Sequence, residues 1–124
     1  MEISIKIGIG EAVDRGTILQ IKLEKIQDET KLKNIEKELE YLEQILQPIP
    51  ELEGYFDLAY ALGSVNAKLW DIEDKLRIHE KNEDFGEQFI ELARQVYKLN
   101  DRRAEIKKEL NKLYKSEFIE EKSY

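Results

Sequence analysis

Arg103 is the residue whose position asks for chemistry. It interrupts a series of apolar residues, Phe85, Phe89, Leu92, Val96, Leu99, Ile106, Leu110 and Leu113, that otherwise steps by four and three. A guanidinium is always charged, so when buried it must find acceptors. Glu11 and Asp14 fall at the same level, near the start of the first helical stretch. Tyr97, Asn100 and Asp101 lie within a turn of the arginine, and Asn66 faces them from another stretch. Two readings fit this set. One is an anion or small-ligand site at one end of a helical bundle. The other is a buried Arg–carboxylate pair that fixes register, with Asp14 or Glu11 as the partner. Gly16, opposite Arg103, lacks a side chain and would leave the space.

Other candidates carry less. Glu40 and Glu43 form one i,i+3 carboxylate pair, and Asp71 and Asp74 another. This faintly resembles the all-α nucleoside triphosphate pyrophosphatases, which hold Mg²⁺ between paired acidic helices. Those families use ExxE followed by ExxD, whereas the second pair here begins with Asp71. With 27 acidic residues in 124, such spacings also arise by chance. The single histidine, His79, cannot build a multi-histidine metal site, and it reads as a solvated residue in a last helical turn. Trp70 reads as a core or interface anchor. Gly8-Ile9-Gly10 lacks the third glycine and the sheet of a nucleotide fingerprint. With no cysteine there is no disulfide, thiolate ligand or cysteine nucleophile. Neither a metal nor a cofactor is expected.

The formal net charge is −7, which argues against a protein built to bind phosphate backbones. Between Arg94 and Lys115, however, eight basic residues meet three acidic ones. The plain reading is a solvated helix face paired with acidic neighbours; the other is a partner-binding face. No apolar run approaches a membrane span, and the first nine residues do not read as a signal peptide. We expect a cytoplasmic protein with no membrane insertion.

These residues need elements to position them. Ile3-Ser4-Ile5-Lys6-Ile7 alternates with period two and predicts a short strand. Ala12, Gly16, Leu19, Leu23 and Ile26 predict a helix over about 10–27. Asp28 is a candidate N-cap for a second helix over 29–47, stopped by Pro48 and Pro50. Leu58, Leu62, Val65, Leu69, Ile72 and Leu76 predict a third over 55–80, and the Arg103 series a fourth over 85–115. The fourth would be about 46 Å long. Residues 117–124 form a tail, and the chain length fits one domain.

Short turns make successive helices antiparallel, so facing residues have nearly constant index sums. This stacks Leu19, Leu39, Val65 and Leu99 in one aliphatic layer, with similar layers on either side. The expected fold is an all-α, up-down-up-down four-helix bundle with coiled-coil-like seams. The last helix overhangs at Leu110 and Leu113. A dimer, or coverage by Ile3, Ile5, Ile7 and Phe118, should hide that surface.

The stretches GEAVDRGTILQIKLEKI (10–26), LWDIEDKLRIHE (69–80), FIELARQVYKLNDRRAEIKKELN (89–111) and EEKSY (120–124) carry a resemblance across nearly the whole chain. They resemble a family of small bacterial and marine-phage proteins catalogued only as a domain of unknown function. Gly8 stands where that pattern leads one to expect a small polar residue such as serine. The resemblance implies no catalytic residues; it implies an association with glycan or lipopolysaccharide biosynthesis. The residues and the resemblance together predict a non-enzymatic helical interaction module, with a second copy or another protein as partner. The rival reading is a small-anion or sugar-nucleotide site at the Arg103 level.

Overall fold

The computed structural model describes residues 1–123; Tyr124, the end of the predicted tail, lies outside them. Four helices follow in order: α1 (Ile9–Lys25), α2 (Glu29–Leu46), α3 (Tyr55–Lys81) and α4 (Glu87–Leu113). Each boundary falls within two residues of the periodicity's prediction, the usual uncertainty of helix ends. Asp28 caps α2 as expected, its side chain accepting from the Lys31 N–H at 2.9 Å.

The strand predicted over 3–7 does not form, and there is no strand among the described residues. The alternating segment has no ladder partner among the described residues, and an unpaired strand has no independent stability in water. Ile3, Ile5 and Ile7 are instead exposed.

Packing departs from four equivalent seams. The seam of α1 meets that of α2: Ala12, Leu19, Leu39 and Leu42 form one buried cluster, joined by Leu23, Ile35 and Leu46. The seams of α3 and α4 meet in a second, built on Leu62, Val65, Leu69, Ile106 and Leu110. The predicted layer of Leu19, Leu39, Val65 and Leu99 is therefore split between the two. Helix α1 joins the clusters because it is buried on two faces. Its second face, with Ile9 and Val13, enters the α3–α4 core. Along that face Thr17 lies over Gly63, where an added Cβ would sit 3.8 Å from Thr17 Cγ2. Helix α2 lies along α1, with no close backbone approach to α3 or α4.

Leu110 is fully buried, but not by the predicted segments. It shares its cluster with Ile9, Val13, Leu62 and Ile106, and Tyr55 and Tyr114 pack against that cluster. The Tyr114 hydroxyl donates to the Pro50 carbonyl at 2.7 Å and accepts from the Leu52 N–H at 3.2 Å. That latch ties the α2–α3 loop to the end of α4. Phe118 stays exposed.

Candidate functional site: the Asp14–Arg103 cluster

Asp14 and Arg103 meet at the α1–α4 contact. Arg103 Nε donates to Asp14 Oδ1 at 2.9 Å, and Nη2 donates to Oδ2 at 2.5 Å. This side-on, two-point geometry is the strongest carboxylate pairing available to arginine. The Asp14 side chain is 8% exposed and that of Arg103 29%. The pair thus sits at the rim of the core, with the carboxylate inside and one guanidinium edge toward solvent.

Asn66 of α3 completes the inner side. Its Nδ2 donates to Asp14 Oδ1 at 2.9 Å and to Thr17 Oγ1 at 2.8 Å. Thr17 in turn donates to the Asp14 backbone carbonyl at 2.8 Å. Asn100 accepts more distantly from Arg103 Nη1, at 3.5 Å. Burial pushes the Asp14 carboxyl upward, but hydrogen bonds from Arg103 and Asn66 outweigh it and hold the group below the usual carboxylate range. The bond from Asp14 raises Arg103 further, against its own desolvation. Asp14 is therefore ionised at neutral pH and a weak base.

The expected partner is present, but the predicted role of Gly16 is corrected. A Cβ there would lie 3.5 Å from Leu42 Cδ2, so Gly16 faces α2 and leaves no space toward Arg103. Asp14 reaches Arg103 because it lies on the second buried face of α1. Glu11 belongs to the adjoining cluster instead. Its Oε1 lies 3.7 Å from Lys107 Nζ and is buried without a hydrogen bond. Of the other anticipated residues, Asn66 and Asn100 join the pair. Tyr97 is exposed, and Asp101 is half-buried without joining the described hydrogen bonds of the pair.

Sequence reasoning missed the neighbouring junction. The first turn of α1 has free N–H groups and no side-chain cap of its own. Residues from the end of α4 supply acceptors: Ser116 Oγ takes the Ile9 N–H at 3.2 Å, and Asn111 Oδ1 takes the Gly10 N–H at 2.7 Å. Asn111 is almost wholly buried. The α4 terminus is shaped for this role. Lys115 has φ +54°, and the Ser116 N–H returns to the Asn111 carbonyl at 2.8 Å, closing the helix in a Schellman turn. A Cβ on Gly10 would overlap the Lys107 carbonyl oxygen. The Gly8-Ile9-Gly10 signal thus marks a close approach of backbones, not a phosphate cradle.

The tail folds back along α4, where Lys107 pairs with Glu120 at 2.9 Å and Lys108 with Glu121 at 3.5 Å. The hydrogen bond from Lys107 lowers the Glu120 pKa. Several cations of the basic helix are therefore neutralised within the chain. An open depression of about 430 Å³ flanks the Asp14–Arg103 pair, lined among others by Ile7, Arg15, Ile18, Lys22 and Glu38. An anion entering it would meet Lys22, Arg15 already paired with Glu38, and the outer edge of Arg103, with the carboxylates of Glu11, Asp14 and Glu38 opposing it.

The two acidic pairs are not brought together. Glu40 and Glu43 are exposed on α2, while Asp71 and Asp74 on α3 pair with Lys25 and Arg77. No group of carboxylates and histidines suited to a metal occurs among the described residues. His79 sits in the last turn of α3 as expected, but it is not solvated: its side chain is 14% exposed, beside the Phe89 ring, with Nδ1 3.1 Å from the Asp84 carbonyl. Among the described residues no helix is long and apolar enough to cross a membrane.

No characterised protein and no solved structure gives a significant match to this chain. A family model does match, over residues 3–124. With bundle-like all-α packing and near-complete coverage by that model, the chain belongs to the family of unknown function DUF6165.

Proposed function

We propose that this chain is a non-enzymatic helical interaction module that associates with a second copy of itself. The supporting observation is an apolar surface at one end of the fold. Ile3, Ile5 and Ile7 are 80%, 75% and 47% exposed. Exposed Phe118 and Ile119 line one shallow groove together with Ile7 and Gly8. Apolar surface concentrated in one place is the usual mark of a contact site. The polar cluster supports the same reading, because its strongest bonds are spent on one another and hold α1 to α3 and α4. The chain's lack of cysteine fits work in the cytoplasm. The family resemblance directs the choice of setting to glycan or lipopolysaccharide biosynthesis, as an accessory component.

A second reading, a small-anion or sugar-nucleotide site, is favoured by the depression beside Arg103. A thermal-shift series with nucleotides, sugar nucleotides and inorganic phosphate separates the two. A ligand that binds the folded state raises the melting point by linkage. The interaction module gives a flat series and a concentration-dependent mass in sedimentation; a ligand-dependent rise with a constant monomer mass would reverse the assignment.

A further inference from the structure

Among the described residues, the backbone N–H and C=O groups of residues 2–7 take part in no hydrogen bond. The segment runs outward from Gly8, whose φ of −69° and ψ of 156° are extended. Its three isoleucines alternate with Glu2, Ser4 and Lys6. In extended backbone this puts the isoleucines on one face and the polar residues on the other. It is a strand in pattern that lacks a ladder partner.

The sequence is complementary to itself in one register. Antiparallel pairing of two copies about Ser4 sets Ser4 opposite Ser4, Ile3 opposite Ile5, and Glu2 opposite Lys6. Ile3 and Ile5 of each arm then face an isoleucine of the other, and both charges of each arm meet the opposite sign. Parallel in-register pairing would oppose Glu2 to Glu2 and Lys6 to Lys6. A shift by one residue sets isoleucine against polar residues and turns the apolar face outward. A shift by two loses both charge pairs. Self-complementarity about a central residue is what a two-fold interface requires, because each copy offers the same surface.

Resting on the self-association proposed above, we infer that residues 2–6 pair with the same segment of a second copy as an antiparallel two-stranded ribbon centred on Ser4. The isoleucine face of the ribbon needs cover, since two strands alone are marginal. Phe118 and Ile119 line a groove at the base of the arm, together with Lys6, Ile7 and Gly8. They supply that cover from each copy.

The test uses charge reversal on the full chain, read by sedimentation velocity. E2K puts two like-charged pairs into the homodimer, and so does K6E. Each should weaken dimerisation about tenfold or more, because opposed like charges on paired strands repel. Mixing the two variants restores every pair to opposite sign, so the mixture should form a heterodimer about as tight as the wild type. S4C adds a position-specific readout, since the chain has no cysteine of its own. Two such thiols face each other at the two-fold axis and should oxidise to a linked dimer. E2C, which faces Lys6 of the second copy, should link far more slowly.

A dimer unaffected by E2K and K6E would overturn the ribbon while leaving self-association standing. A wild type that is monomeric at every concentration would overturn both. Equal linking by S4C and E2C would overturn the antiparallel register.

Discussion

Replacing Arg103 by leucine should expose the cost of the Asp14 carboxylate. The variant leaves an anion only 8% exposed, with Asn66 as its remaining hydrogen-bond donor among the described contacts. Breaking a buried ion pair from one side costs about 3–5 kcal/mol. The 29% exposure of Arg103 lets water reach the outer edge, so we place the loss near the lower bound, about 3 kcal/mol. The double variant D14L/R103L removes both charges and leaves Asn66 its bond to Thr17. Its cost should be well below the sum of the singles, with a coupling of about 2 kcal/mol. Urea denaturation at pH 7, compared at constant m, measures all four corners.

The sign of the pH dependence follows from the same bonds. Asp14 titrates below its ordinary value of 3.8 in the folded chain. Its contribution is thus complete above that value and is lost as pH falls through the folded pKa. In R103L the stranded carboxyl is instead favoured by protonation. The stability gap between wild type and R103L should therefore begin to narrow as pH falls through the raised pKa of the stranded carboxyl, and go on narrowing down to the lowered pKa of Asp14 in the wild type. Costs that add to within about 0.5 kcal/mol, or a gap independent of pH, would refute the assignment of Asp14–Arg103 as a coupled buried pair.

Three further outcomes follow from the packing. Leu39→Ala removes a buried contact from the α1–α2 cluster and should cost about 2–5 kcal/mol by denaturation. Because α2 has a close backbone approach to α1 but not to α3 or α4, and meets their core only through Leu46 at its end, hydrogen exchange should then show α2 opening before α3 and α4. Gly10→Ala and Gly16→Ala should diverge in thermal melts. The first drives a Cβ into the Lys107 carbonyl and lowers the melting point, whereas the second meets Leu42 at an ordinary 3.5 Å and should gain about 0.5–1 kcal/mol. Tyr114→Phe loses both latch bonds to the α2–α3 loop and should cost about 1 kcal/mol, with faster proteolysis confined to residues 47–54.

The helices were legible because their apolar residues keep a strict three-four step and their turns carry recognisable stops. Asp28 and Pro48 act through local chemistry, which a sequence displays directly. The Asp14–Arg103 pair was legible for a related reason: a charge in an otherwise apolar series demands a partner, and only two carboxylates lay near its level. The arrangement of seams was not legible. Ile9 and Val13 give α1 a second buried face, but Asp14 and Thr17 share that face and break its apolar pattern. Index sums locate partners within a hairpin; they do not say whether two hairpins share one core. The junction between α1 and α4 was hidden for another reason. Gly8 and Gly10 signalled a close approach, but Asn111 lies 101 residues away from Gly10. The period-two arm was read correctly as a pattern and wrongly as a formed strand, because a strand's stability belongs to the pair.

Sedimentation equilibrium of the unmodified chain from micromolar to about 100 µM tests the central claim most directly, since monomer and dimer populations shift with concentration by mass action. The chain mass is 14.7 kDa. Self-association predicts a mass that rises with concentration to twice that value and no further, because a two-fold interface closes on itself. A mass fixed at 14.7 kDa throughout would contradict it.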